Sequence, residues 1–273
     1  MSDIDERIGI QCPVAIDANY RSNETVTEYM KAAAEFRLSF AELNVVDYNG
    51  VSAQGLVEWL DEFGLRLLNL ATGATAAQRG HSLAHPEAAV RQDAIDTLKD
   101  GMRFASEVGG FTGGAAPGMI LGLVQGNSAE SKAKQRERFR GALEELLPTA
   151  EKQGVCLVIE ATNRYLSGVS HTVEESVEFI KQLGSDRLRV LPDTYHMNIE
   201  ERDMTAELLR YLSYIDELHI SDNNRLYPGL GAIGFRHVID CLEAAGFRGA
   251  YVIEGNIESD LTSSLRSAVA TVT

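Results

Sequence analysis

The chain has 273 residues and 44% hydrophobic content, enough for one large core and better suited to a single α/β barrel than to two small domains. A net charge of −15 disfavours nucleic acid and anionic membrane as partners, since both require basic surface. Its ordinary meaning is a solvated acidic surface. No apolar run reaches membrane-spanning length, and the opening MSDIDERIGIQ carries acids where a signal peptide would carry an apolar core. Cys12, Cys156 and Cys241 are widely spaced, with no CxxC. They are expected to be reduced, buried small residues of a cytosolic protein.

Short apolar runs alternate with longer helical patterns along the chain. Strands are expected within 7–15, 39–46, 65–72, 110–124, 155–161, 188–194, 217–221 and 250–255. Helical patterns fall between them, from TVTEYMKAAAEF and AQGLVEWLDEFG through TVEESVEFIKQLG to LTSSLRSAVATV. Several end in Gly, the usual residue just past a helix C-terminus. Thr172 and Glu175 have capping-box spacing. Eight such units predict a single (β/α)8 barrel over residues 1–273, and an open doubly wound sheet is the alternative. No GxGxxG or GxxxxGK[ST] follows an early strand, which weakens a nucleotide-binding reading.

Four residues close predicted strands: Glu160 in VCLVIEA, Asp193 in LRVLPDT, His219 in ELHIS and Glu254 in AYVIEG. A carboxylate ending an apolar strand is costly if it is buried unpaired. Each residue singly has an ordinary explanation, such as a cap or a paired surface acid. Jointly, on four successive strands of a barrel, they converge at the functional face. Three carboxylates and an imidazole suit a divalent cation. His196 lies three residues after Asp193, and Arg225 six after His219 in a Gly/Pro-rich loop. Both are placed to orient an oxygen-rich substrate. Asn163 and Arg164 are expected to brace the loop after the fifth strand, and Glu200 and Glu201 to be helix-start acids.

The segments EATNRYL, LPDTYHMNIEE, HISDNNR…PGLG and VIEG resemble the xylose isomerase-like barrel superfamily. Their pattern is most similar to the D-tagatose and D-psicose (allulose) 3-epimerases. The resemblance covers residues 155–255 well, and the first 110 residues share only the strand–helix rhythm. It implies that Glu160, Asp193, His219 and Glu254 hold one divalent ion, commonly manganese, with cobalt or magnesium as alternatives. Glu160 and Glu254 would transfer protons on opposite faces of a keto-sugar through a metal-stabilised enediolate. His196 and Arg225 would contact substrate oxygens, and the enzyme would be a homodimer or homotetramer. One departure stands out. The epimerases carry Glu directly after N-R-[YF], and this chain carries Leu166. Ser221-Asp222 replaces the usual Gly-Glu, and Pro192 precedes Asp193. The metal chemistry is retained and the substrate end altered. Leu166 is therefore expected to line the substrate cavity. A lyase on the same scaffold is the alternative, of the inosose dehydratase or 3-oxo-glycoside deglycosidase type. A phosphate-cleaving nuclease is disfavoured by the acidity, and a purely binding barrel by the four strand-end ligand types.

Overall fold

The computed structural model describes residues 4–273. Its strands are β1 (Ile8–Ile16), β2 (Phe40–Val45), β3 (Arg66–Ala71), β4 (Gly118–Leu121), β5 (Leu157–Glu160), β6 (Leu188–Leu191), β7 (Glu217–Ile220) and β8 (Ala250–Ile253). All pair in parallel, in the order β6-β5-β4-β3-β2-β1-β8-β7. The pairing of β1 with β8, Ile8 against Tyr251 through Ile10 against Ile253, rolls the sheet into a ring. That pairing excludes the doubly wound alternative. β4, β5, β7 and β8 are buried at every position, as parallel strands covered on both faces must be.

The ring has one weak line. β6 and β7 meet through the isolated bridges Val190↔Ile215 and Asp193↔His219, with His219 N donating to Pro192 O at 3.0 Å. Pro192 has no N–H to extend the ladder, so β6 stops at Leu191.

The helices are α1 (Glu24–Glu35), α2 (Ala53–Asp61), α3 (Gly73–Arg79), α4 (Ala88–Thr112), α5 (Lys132–Gln153), α6 (Val173–Leu183), α7 (Thr194–Glu200), α8 (Met204–Arg210), α9 (Phe235–Ala244) and α10 (Leu261–Val272). Thr172 Oγ1 caps α6 by accepting from Glu175 N at 3.2 Å, and Gly184 ends it at φ 62°. The capping box is incomplete, because the Glu175 carboxylate accepts from His171 N at 2.7 Å and pairs with Lys132.

The one strand expected within 110–124 is Gly118–Leu121, after α4 has continued to Thr112. Three expectations change. The short helices α3 and α7 have no counterpart in the predicted pattern. Glu200 and Glu201 do not start a helix. Asp193 is the N-cap of α7, which puts Glu200 at that helix's last position and Glu201 just beyond it. Glu201 instead accepts from Val173 N at 2.9 Å, at the start of α6. Finally, Cys12 alone of the three thiols is fully buried, and burial pushes it up to about 11. Cys156 and Cys241 are only partly covered, Cys156 just before β5 and Cys241 on α9 with its sulfur 3.9 Å from His237.

Candidate metal centre at the barrel mouth

Glu160 ends β5, and His219 lies within β7. Asp193 follows β6, and Glu254 follows β8. One donor atom from each of the four lies within 4.8 Å of the others. The structure thus brings the four strand-end residues together. Asp193 is fully buried, Glu160 and His219 nearly so, and Glu254 partly open.

Two of these residues also hold local structure. Asp193 Oδ1 accepts from Tyr195 N at 2.8 Å, capping α7, while Oδ2 pairs with Arg225 Nη1 at 2.5 Å. Arg225 Nη2 reaches Glu254 Oε1 at 2.9 Å. A cationic group between these two carboxylates shows the polarity the cluster prefers. Burial opposes ionisation of both acids. The Arg225 guanidinium outweighs it, and holds Asp193 and Glu254 below the usual carboxylate range. Burial likewise opposes charge on the His219 ring. The Glu42 and Glu254 carboxylates outweigh that, and raise it well above the ordinary imidazole range.

His196 lies beside the cluster, with Nε2 3.5 Å from Glu160 Oε1. The Asn163 amide oxygen accepts from Tyr165 N at 3.0 Å, which turns its NH2 group onto His196 Nδ1 at 2.9 Å. That donor demands a bare Nδ1, so the proton sits on Nε2, toward the cavity. Burial opposes charge on His196, and Asp193 and Glu160 raise its pKa all the same. The 2.9 Å contact is the stronger constraint on which nitrogen carries the proton. Arg164 also braces this loop. Its side chain forks onto Glu200 at 2.8 and 2.6 Å, and its backbone N–H donates to the same carboxylate at 2.8 Å.

Arg225 is carried on the loop after β7, in the left-handed region at φ 65°. The buried Asp222 carboxylate organises this loop. It accepts from Asn223 N at 2.9 Å, Gly229 N at 3.1 Å, Gly231 N at 2.9 Å and Ile233 N at 3.0 Å. Asp222 thus has a structural task that its sequence position did not reveal.

The cluster walls a cavity of about 250 Å³. Glu160, His196, His219, Arg225 and Glu254 are among the residues that line it. Its apolar lining includes Pro13, Ile120, Leu123 and Leu166, of which Leu123 and Leu166 are 42% and 43% exposed, and Asn44, Thr72, Thr162 and Asn256 add further polar groups. Leu166 is thus on the cavity wall, not in the helix packing.

Three residues below the site were missed. Glu42 on β2, Asn69 on β3 and Glu217 on β7 form a buried polar crossbeam. Asn69 Nδ2 donates to Glu42 Oε1 at 2.8 Å and to Glu217 Oε2, while Glu42 Oε2 lies 2.8 Å from His219 Nε2. β3 and β7 stand four strands apart around the ring, so the crossbeam spans the lumen. Burial, reinforced by the Glu42 carboxylate, pushes the Glu217 acid well above the usual range.

Sequence comparison is decisive at the level of family. The family model described as xylose isomerase-like TIM barrel matches residues 30–270. The chain belongs to that family. It is 36% identical over 123 residues to a D-psicose 3-epimerase of Enterocloster bolteae, covering 44% of this chain and 41% of that protein. It is 30% identical over 158 residues to a 3-dehydro-D-guloside 4-epimerase of Escherichia coli, covering 57% of this chain and 60% of that one. The chain thus matches about two-fifths and three-fifths of the lengths of these relatives. Its fold is that of the D-psicose 3-epimerase of Clostridium cellulolyticum H10 crystallised with D-tagatose, at TM-score 0.78 and 22% identity over 97% of this chain and 96% of the other.

Proposed function

We propose that this single-domain barrel is a divalent-metal-dependent isomerase that epimerises a keto-sugar. The observation that carries the reading is the convergence of Glu160, Asp193, His219 and Glu254 within 4.8 Å of one another, with Glu160, His219 and Glu254 lining a cavity of about 250 Å³. The donor set fits a divalent ion: three carboxylates and one imidazole, mutually close, already facing a cationic group. Manganese is the proposed ion, with cobalt or magnesium as substitutes. When bound, it stabilises the negative charge that develops as a proton leaves the carbon beside a carbonyl.

The chain's own residues do the rest. Glu160 at the end of β5 and Glu254 just past β8 are three strands apart around the ring, a spacing that lets them flank a bound sugar. One takes the proton and the other returns one from the opposite face, which inverts the centre. His196 donates from Nε2 to a substrate oxygen, and Arg225 binds another. Leu166, Leu123 and Pro13 offer no side-chain hydrogen bond, so a substrate group lying against them is recognised by shape. This favours a substituted or apolar end over the hydroxyl of a free ketohexose. Both relatives are named as epimerases, one of them a 3-dehydro-D-guloside 4-epimerase, which supports epimerisation over the lyase alternative. A cytoplasmic setting and a homodimeric or homotetrameric assembly belong to the same proposal, and sedimentation reads the latter.

The test is incubation of manganese-loaded protein in D2O with D-fructose, D-psicose, D-tagatose and 3-keto-glycosides. The expected result is deuterium beside the carbonyl together with the epimeric product, faster on the glycosides. No exchange with any of these substrates, or exchange that survives exhaustive chelation, overturns the proposal. Efficient turnover of a free ketohexose overturns the role given to Leu166.

A further inference from the structure

Two groups of potential ligands share His219. The upper one is Glu160, Asp193, His219 and Glu254, and the lower one is Glu42, Glu217 and His219. The cavity separates them: Glu160, His219 and Glu254 line it, whereas Glu42 and Glu217 do not. The lower acids are 0% and 3% exposed, and each already accepts a hydrogen bond from the Asn69 amide. Both hydrogens of that amide are committed, which fixes its orientation and the position of the Glu42 carboxylate.

A neutral imidazole can give a lone pair to a metal from only one nitrogen, and the other must carry the proton. Ring rotation would exchange the two positions unless a neighbour distinguishes them. Here Nδ1 lies 2.7 Å from Glu254 Oε2, on the side of the upper cluster, and Nε2 lies 2.8 Å from Glu42 Oε2. A carboxylate can only accept. Glu254 and Glu42 thus offer an acceptor to each nitrogen, but only Nδ1 lies on the side of the upper cluster, so an ion bound there would take the place of the Nδ1 proton while Glu42 keeps the proton on Nε2. Building on the metal centre proposed above, we infer that Glu42 is a positioning residue. Held in place by Asn69, it fixes the His219 ring and tautomer so that Nδ1 is presented to the ion.

Metal affinity tests this without recourse to turnover. Mn2+ is titrated calorimetrically into wild type, Glu42→Gln and Glu42→Leu, with thermal unfolding run alongside. Wild type should bind one ion per chain. Glu42→Leu should bind about 10- to 100-fold more weakly, the usual loss when the partner of a metal-ligating histidine is removed. Glu42→Gln retains an acceptor oxygen and should lose less. In zinc-loaded protein with 15N-labelled histidine, His219 should be protonated at Nε2 and metal-bound at Nδ1. This measurement needs no variant and decides the matter if Glu42→Leu does not fold. A folded Glu42→Leu with affinity within twofold of wild type, or the reverse tautomer, overturns the inference and leaves the metal centre standing. Two ions per chain would make the lower acids ligands of their own, and overturn it too. A wild type that binds no Mn2+ removes the metal centre and this inference together.

Discussion

A side chain at position 122 would collide with the site. A Cβ on Gly122 would collide with Glu160 Oε2, so the carboxylate reaches its place only because the residue just after β4 is glycine. The obstructed atom is the tip of a flexible side chain, so Gly122→Ala should fold with nearly unchanged thermal stability. It should displace the carboxylate and weaken Mn2+ binding by about tenfold or more, on the scale seen when the surroundings of a ligand are disturbed. Calorimetry checks this, and unchanged affinity would mean that Glu160 is not a ligand. Glu254→Gln and Glu160→Gln remove a base while keeping shape. Each should lower turnover by about 10²-fold or more at confirmed metal content. A near wild-type rate in either would assign the proton to another group. Legibility at this scale followed position within the strand. Glu160, Asp193 and Glu254 close apolar runs, where a charge is conspicuous. Glu42 and Asn69 sit inside strands, where a polar residue can meet a neighbour, water or a partner across the lumen, and sequence does not say which. One signal was available. Glu217 and His219 are two apart on one strand, hence on one face, so a second ionisable group had to share the interior with the ligand.

Loops after strands carry the working groups, and two of them are held by a single carboxylate each. In Asp222→Ala, four backbone N–H groups of the loop after β7 lose their acceptor. The expected cost is about 1–3 kcal/mol, with faster amide exchange at Gly229, Gly231 and Ile233 and a raised KM as Arg225 loses its fixed position. Protection equal to wild type at those amides would assign the order of the loop elsewhere. The loop after β5 depends on Glu200. Burial works against its charge, and the Arg164 fork prevails, holding the acid below its ordinary value. A depressed carboxyl contributes stability above its unfolded pKa and loses it as pH falls through the folded value. The difference in melting temperature between wild type and Glu200→Gln should therefore be largest near neutral pH and shrink toward pH 3. A difference constant with pH would show that the pair contributes no charge-dependent stability. The eight strands and the long helices were legible because alternation and helical periodicity persist over enough residues. α3 and α7 were not, since seven residues give under two turns of pattern. Placing Glu200 and Glu201 depended on knowing that α7 begins at Asp193.

At the scale of the whole molecule, the ring closes firmly between strands distant in sequence and loosely between two that are close. β1 and β8 share a ladder, while β6 and β7 touch at isolated bridges. Asp193 and His219 form one of those bridges and belong to the proposed metal centre. An ion held there spans the loose line. Mn2+ should therefore raise the melting temperature, and should slow exchange of the His219 amide more than that of amides on the β1–β8 ladder. Uniform slowing would place the gain elsewhere. β7 itself keeps its register through four pairs with β8, Glu217 against Ala250 through Ile220 against Ile253. The looseness is confined to its other edge, where Pro192 has ended the ladder and the His219 N–H reaches Pro192 O. The two residues bridged there, Asp193 and His219, are also tied by their side chains to Arg225, Glu42 and Glu254. The imidazole is then a clasp across the seam of the barrel, and His219→Leu should open that seam, seen as faster exchange of the residue 219 amide with the β7–β8 amides unchanged. Equal exchange at residue 219 in variant and wild type would mean that the backbone closes the ring without it.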